Sequence, residues 1–353
     1  MSVVADDSAW DLGPAPLQSA ADSDGEPPED PYPPQGSDAG TPAAAPTPAA
    51  PTGVPPTARR VFDGLLTPPV VRPVAPSGLA EDLRAILAPY AAEVAKLWPE
   101  PSLRIGKSQI TSITRCEGTS LASRNAGFPD TIPIPVAVGQ VVHKSVQMLW
   151  THPGRTLPEY VRAGISGAAA ESDSFAALWD GADMAVQSDV IARSVSRLAS
   201  FADTFPPLLD EWAPRFEEPV SARVGALVLV GRPDFMLGRP RPDGSRTMVV
   251  CDIKSGELGE DHRFEALLYA LLLTLRHGVP PWRSTVLSLA SGDWTDPDFT
   301  AEDLHTTAER AGAAAAACAA VWSDARTPTL SPGPWCRWCP ARATCPSAQT
   351  PDR

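Results

Sequence analysis

Two acidic residues and one lysine lie close together in a stretch that the sequence predicts to be a β-hairpin. Asp234 begins one strand, and Asp252 and Lys254 end the other. Because side chains alternate across a strand, Asp252 and Lys254 point to the same face. Cys251 and Ile253 point to the opposite face. Two carboxylates beside an ammonium group predict a metal site with an adjacent cation, although a salt-bridge ladder at a strand end would use the same residues.

The elements around the hairpin follow from hydrophobic periodicity. Helical spacing predicts helices at Leu79–Trp98 with a kink at Pro89, Pro135–Trp150, Glu159 into the 170s, Ala185–Phe205, Asp261–His277 and Ala301–Trp322. Strands are predicted at Val220–Val224, Ala226–Val230, Thr247–Lys254 and Thr285–Ala290, with a turn at Pro240–Gly244. Helices followed by a strand meander, a crossover helix and one more strand predict an α/β fold with a mixed central sheet flanked by helices.

The composition indicates a globular chain with an acidic, proline-rich start. The 353 residues are 43% hydrophobic, and no apolar run approaches the roughly 18 residues of a membrane span. The first residues lack the basic and apolar regions of a secretory signal, so the expected location is the cytoplasm. Residues 1–58 hold nine of the 42 acidic residues and no Lys or Arg, so the rest carries 33 acidic and 29 basic side chains, a net charge of −4.

The domain organisation follows from the difference in charge and composition between residues 1–58 and the rest of the chain. Residues 1–76 are expected to be a disordered Pro/Ala-rich tail and lead-in, with a partner-docking or DNA-mimicking role as the alternative for the tail. Residues 77–353 are expected to be a single domain. It divides into a helical part at 77–215, an α/β core at 216–330 and a cysteine-rich loop at 331–346.

The stretch Gly106-Lys107-Ser108 is similar to the end of a phosphate-binding loop. The first glycine of that motif would fall on Pro101, and no strand rich in β-branched residues leads into it. We therefore expect no NTPase site here. Ser108 is instead expected to cap a short helix that carries Cys116.

The six cysteines divide into two groups. Cys251 and Cys318 fall in apolar elements and are expected in the core. The remaining four are Cys116 and a late CxxCx5C set, namely Cys336, Cys339 and Cys345. Three thiolates need a fourth ligand, for which Cys116 is the candidate. Their spacing suits either zinc or an iron–sulfur cluster.

These motifs together resemble a known family. The relevant residues are Gly139-x3-His143, Gly231-x2-Asp234, Asp252-x-Lys254 and Tyr269, framed by one early cysteine and the late CxxCx5C set. In this order they resemble the RecB-like, iron–sulfur branch of the PD-(D/E)XK nucleases. They are similar to the CRISPR-associated RecB-like exonucleases and to the AddB nuclease domain. The resemblance covers roughly Lys107 to Pro346.

The resemblance implies a role for each matching residue. His143, Asp234 and Asp252, helped by the carbonyl of Ile253, would hold Mg²⁺ or Mn²⁺. Lys254 would position or activate the attacking water, and Tyr269 would contact the substrate strand. A 4Fe-4S cluster would bind Cys116, Cys336, Cys339 and Cys345. The family has QxxxY where this chain has Glu265 and Tyr269, which leaves the role of Glu265 open.

The function expected from these motifs is metal-dependent hydrolysis of DNA, directed at single strands or ends. A catalytically weak iron–sulfur module that binds DNA ends is the alternative, supported by Glu265. Partners would be DNA and the proteins of a repair, CRISPR or phage-defence complex, with no membrane. We expect a structural role for the cluster because its ligands lie far apart in the chain.

Overall fold

The computed structural model describes residues 63–67, 71–127, 130, 132–205, 212–241 and 243–348. The predicted tail, residues 1–58, lies outside these ranges. The described part of the lead-in packs on the rest of the chain, because Leu65 is buried and Val74 forms a bridge with Ser245. Contacts with the domain therefore begin before residue 77, where the sequence placed its start.

The first half of the described chain is helical, as predicted. Its helices are α1 (Leu79–Leu97), α2 (Lys107–Arg115), α3 (Glu117–Ala126), α4 (Ile134–Thr151), α5 (Leu157–Glu171), α6 (Asp173–Gly181) and α7 (Met184–Thr204). The second half contains α8 (Asp261–His277) and α9 (Ala301–Trp322), both with the predicted bounds. Helix α1 continues through Pro89.

The strands form two mixed sheets, so the α/β class is confirmed, with the strands divided between two sheets. The strands are β1 (Leu103–Ile105), β2 (Arg215–Phe216), β3 (Val220–Val224), β4 (Leu227–Gly231), β5 (Phe235–Leu237), β6 (Val249–Lys254) and β7 (Arg283–Ser288). The first sheet has the order β1-β4-β3 and the second β2-β5-β6-β7. Strands β1 and β4, and β6 and β7, are parallel; the other pairs are antiparallel.

The segment around Gly106 differs from the prediction. Strand β1 precedes Gly106, and helix α2 begins at Lys107 with Gly106 as its N-cap residue, so the assignment of Ser108 as the cap was wrong. A side chain at position 106 would come within 2.9 Å of the Val230 carbonyl oxygen, which explains the glycine. Cys116 lies between α2 and α3 rather than within a helix.

Strand β6 separates two apolar cores. On one face, Met248 and Val250 pack with α1, α8 and α9. On the other, Cys251 and Ile253 pack with α4, α5 and α7. This confirms the predicted alternation, and it directs Asp252 and Lys254 towards α8. Cys251 and Cys318 are fully buried, as expected of core thiols.

Within the described ranges, no helix combines the length and the apolar composition that crossing a bilayer requires.

Candidate active site

The two aspartates meet because of the register of the β5–β6 hairpin. Phe235 pairs with Cys251 in this antiparallel ladder, so Asp234 and Asp252 occupy the next position on each strand. One oxygen of Asp234 accepts the backbone N–H of Ile253. The hairpin therefore brings together the two carboxylates that are separated by 18 positions in the sequence, as predicted.

Asp252 is contacted by two ammonium groups. Its Oδ2 atom lies 2.8 Å from Nζ of Lys254 and 3.0 Å from Nζ of Lys107. The same two lysines lie 3.1 and 3.8 Å from Oε2 of Glu265. Asp252 is 1% exposed, Glu265 5% and Lys254 8%. Ion pairs this deeply buried are held in place by packing, unlike a solvated ladder at a strand end.

His143 joins the carboxylates from helix α4. Its Nδ1 atom lies 2.9 Å from Oδ1 of Asp234, and its Nε2 atom lies 2.9 Å from the carbonyl oxygen of Ile253. Gly139, one turn earlier, lies against the side chain of Ser255, where a Cβ would be 3.4 Å from the hydroxyl. All the residues predicted as metal ligands therefore lie at one end of the hairpin.

Helix α8 supplies Glu265 and, one turn later, Tyr269. The Tyr269 hydroxyl lies 3.1 Å from the Arg232 carbonyl oxygen and 3.3 Å from Oδ1 of Asp252, and it can donate its one proton to either oxygen. Tyr269 is 2% exposed, so the structure places it behind Asp252 rather than on a surface open to a substrate strand. A Cβ at Gly231 would come within 2.9 Å of the Tyr269 ring, which explains this glycine.

The site shifts the pKa of two of its groups that contact each other. Burial would lower the pKa of His143, but the neighbouring charge of Asp234 and their hydrogen bond raise it to about 9. Burial, followed by the charge of Asp252, raises the pKa of Asp234 above its usual range. Because both pKa values are raised, the pair retains a proton. The imidazole has to lose that proton before it can bind a metal ion.

The donor types of this site match Mg²⁺ or Mn²⁺. Carboxylate and carbonyl oxygens suit both ions, and an imidazole ligand favours Mn²⁺ over Mg²⁺. Across the described residues, however, no three His, Cys, Asp or Glu side chains are arranged around a point that could hold a metal ion. The predicted ligands contact one another and the lysines instead. A metal ion would have to replace some of these contacts.

Lys107 is a member of the site that sequence reasoning missed. Its side chain is 12% exposed, and its Nζ atom also lies 5.5 Å from the centre of the Tyr269 ring. Lys107 belongs to the stretch that is similar to the end of a phosphate-binding loop, but Pro101 in place of the first glycine and the lack of a β-branched strand before it argue against an NTPase site. A predicted strand before Gly106 would have pointed to Lys107, but the three residues of β1 are too few to show an alternating pattern.

The predicted cluster cysteines are brought together in part. The Cys116 sulfur accepts the backbone N–H of Ser331 at 3.5 Å, and the Cys336 sulfur accepts that of Gly333 at 3.4 Å. Burial raises the pKa of Cys116, but hydrogen bonds from Ser331 and from nearby backbone lower it overall. Two thiols therefore contact one short loop, although three do not surround a common point in the described chain.

Comparison with known proteins agrees with this geometry. The family model described as the PD-(D/E)XK nuclease superfamily matches residues 105–346, or 242 of the 353 residues. The matched range contains every residue of the hairpin site and all four predicted cluster cysteines. No curated protein matches the chain. Members of this superfamily are nucleases that typically use Mg²⁺ or Mn²⁺, which implies a nucleic-acid substrate. The chain belongs to the PD-(D/E)XK nuclease superfamily.

Proposed function

We propose that the protein is a metal-dependent deoxyribonuclease of the RecB-like branch, acting on single strands or ends. The observation that carries this proposal is the group of contacting side chains at the end of the hairpin. Asp234 lies beside Asp252, His143 reaches Asp234, and Lys254 lies 2.8 Å from Asp252. A histidine on a separate helix distinguishes this group from a generic pair of carboxylates.

Four groups would hold the metal ion: the side chains of His143, Asp234 and Asp252 and the carbonyl of Ile253. A divalent ion in such a site polarises the phosphoryl group and makes water acidic enough to attack at neutral pH. The protein supplies the positioning. Lys254 stands beside Asp252, where its charge can orient the attacking water and offset the charge that develops on the phosphate. Tyr269 holds Asp252 from behind through its hydroxyl.

The test is a cutting assay that separates end-dependent from internal cleavage. Labelled linear and circular single strands, and linear and nicked duplexes, are incubated with anaerobically purified protein and Mn²⁺. We expect cutting of linear single strands and no cutting of circles. The Asp252→Ala variant is the control and should be inactive. Equal cutting of circles would replace the exonuclease assignment with an endonuclease.

We also propose that Cys116, Cys336, Cys339 and Cys345 bind a structural 4Fe-4S cluster. The support is that Cys116 and Cys336 each accept an N–H from the loop at residues 331–333. Hydrogen bonds to ligand sulfurs are a common feature of such clusters. Protein purified without oxygen should be brown and bleach in air. A colourless protein that contains one zinc ion per chain would assign zinc instead.

A second candidate function is a nuclease-like module that binds DNA ends without cutting them. It is favoured by Glu265, which stands where the family has glutamine and lies 3.1 Å from Lys254. A carboxylate here adds negative charge near the place a phosphate would occupy. DNA binding without cutting by the wild-type protein, under conditions where metal binding is demonstrated, would support this alternative.

A further inference from the structure

We infer that Lys107 is a second substrate-binding cation of the active site, which contacts the phosphate that is cut. This inference rests on the proposed function and deepens it. Lys107 lies outside the Gly-x3-His, Gly-x2-Asp, Asp-x-Lys and cysteine motifs of this chain. Its place at the site depends on contacts with residues about 145 positions later in the chain.

The backbone around Gly106 positions Lys107 next to the Asp252 carboxylate. Strand β1 ends at Ile105, Gly106 turns against the Val230 carbonyl oxygen, and Lys107 is the first residue of α2. Lys107 thus stands at the positive end of a nine-residue helix, and its ammonium group lies 3.0 Å from the Asp252 carboxylate. The first N–H groups of a helix and an adjacent lysine both favour an anion at the same place.

The charges of the site fit one phosphodiester only when Lys107 is included. Asp234, Asp252 and Glu265 contribute −3 and the two lysines +2, so the site with neutral His143 carries −1. A divalent ion changes this to +1, and one phosphodiester then brings the sum to zero. Without Lys107, the same occupied site would carry −1. Buried groups with uncompensated charge are costly, so Lys107 is what lets this site accept a phosphate.

The contacts argue against a role for Lys107 as a mere counterion of Glu265. Lys107 is 3.8 Å from the Glu265 carboxylate, whereas Lys254 is already 3.1 Å from it. The shorter contact of Lys107, at 3.0 Å, is to the Asp252 oxygen. The Asp252 side chain is one of the proposed metal ligands. Lys107 therefore competes with a metal ion at Asp252 while favouring a phosphate beside it.

This dual position predicts effects of opposite sign on two ligands. In Lys107→Met, Mn²⁺ should bind the DNA-free protein more tightly, by on the order of tenfold, because a like charge is removed next to the ion. Binding of a single-stranded oligonucleotide should weaken. The slope of log affinity against log salt concentration should become shallower by about 0.7, the contribution of one phosphate contact on a single strand.

The experiment measures Mn²⁺ binding by calorimetry and oligonucleotide binding by fluorescence anisotropy over a range of salt concentrations. The anisotropy is measured in Ca²⁺, which keeps a divalent charge in the site but accepts less regular coordination. Lys107→Arg should keep both affinities close to wild type. Lys96→Met, on the exposed face of α1, is the matched control and should change neither. Lys107→Gln replaces the methionine variant if the latter does not fold.

The outcomes separate the inference from the proposed function. Tighter Mn²⁺ binding with a smaller salt dependence of DNA binding supports the role of Lys107. Unchanged binding of both ligands, or weakening of both, in a folded variant overturns it and leaves the nuclease proposal standing. A wild-type protein that binds neither Mn²⁺ nor DNA overturns both.

Discussion

At the scale of single residues, the feature that sets this site apart is the extra pair of opposite charges. Glu265 stands where the RecB-like nucleases of the proposed function would have glutamine, and Lys107 adds a second ammonium group beside Lys254. Both approach the Asp252–Lys254 pair, within 3.8 Å of each other. The added carboxylate and the added ammonium group offset each other, so the total charge stays that of a site with glutamine and no second lysine.

Glu265 is therefore expected to stabilise the metal-free protein. In Glu265→Gln, two buried lysines would share the carboxylate of Asp252, and the free energy of unfolding should fall by about 1 to 3 kcal/mol. Under the proposed RecB-like function, cutting should survive, because the QxxxY pattern would have an amide at this position. Urea unfolding in EDTA measures the first effect.

The matched control for this prediction is Glu93→Gln. Glu93 forms an exposed pair with Lys96 at 3.1 Å, and its loss should change stability by less than about 0.5 kcal/mol. Equal effects of the two substitutions would mean that Glu265 is not needed as a counterion. Loss of Mn²⁺ binding in Glu265→Gln would instead identify it as a metal ligand.

At the scale of elements, the long periodic segments were predictable and the short ones were not. The bounds of α8 and α9 agree with the prediction because each repeats its apolar spacing over several turns. The three residues of β1 contain no measurable period, and their pairing with β4 depends on a segment more than 120 positions later. Lys107 was missed for the same reason: its partners are distant in sequence.

The close packing of β4 against α8 gives a second prediction. In Gly231→Ala, the new Cβ would lie 2.8 Å from Leu272 Cδ1 and 2.9 Å from Tyr269 Cε1. Leu272 can rotate, but the Tyr269 ring is fixed by its hydroxyl contacts. We expect a loss of stability of about 1 to 3 kcal/mol and a lower cutting rate. Gly181→Ala, which meets no atom within 4 Å, is the control for thermal unfolding.

Helix α3 is tied to the segment before the cysteine loop by a carboxylate. Glu117 forms two bonds to the Arg326 guanidinium, at 2.6 and 2.8 Å, and accepts the Thr329 N–H at 2.7 Å. The bond to Arg326, together with that from Thr329, lowers the pKa of Glu117 below its ordinary value of 4.5 despite burial. This contact holds residues 326–329 next to Cys116.

The pH dependence of this contact has a definite sign. A carboxyl group with a lowered folded pKa adds stability above its unfolded pKa and loses it as pH falls through the folded value. At pH 7, Glu117→Gln should cost about 1 kcal/mol, a small amount because Arg326 is partly exposed. The difference from wild type should shrink steadily below about pH 4.5. Urea unfolding across this range measures it, and a difference that grows towards low pH would contradict the account.

At the scale of the whole molecule, the site lies where the two apolar cores meet. The core containing α4 supplies His143, and the core containing α8 supplies Glu265 and Tyr269. Only the hairpin residues could be grouped by their sequence spacing. The contribution of α4 was inferred from family resemblance. That α4 and α8 both reach the site depends on their packing against opposite faces of β6.

Two truncations test where the domain begins. Removing residues 1–58 should leave cutting and melting unchanged, because this stretch has little to bury. Removing residues 1–76 should also remove the buried Leu65 and the Arg72 guanidinium that lies 5.1 Å from the Trp282 ring. That protein should be less stable by about 2 to 5 kcal/mol. Equal melting temperatures for both would show that the lead-in contributes nothing.

The central claim is tested most directly by single-turnover cutting of an end-labelled single strand in Mn²⁺ by wild type, Lys254→Ala and Lys96→Met. Loss of one preorganised charged donor should slow the Lys254→Ala reaction by about 30- to 1000-fold, equivalent to about 2 to 4 kcal/mol of barrier. Lys96→Met should cut at the wild-type rate. Equally slow cutting by all three proteins, with DNA still bound, would contradict the assignment of this site as a nuclease centre.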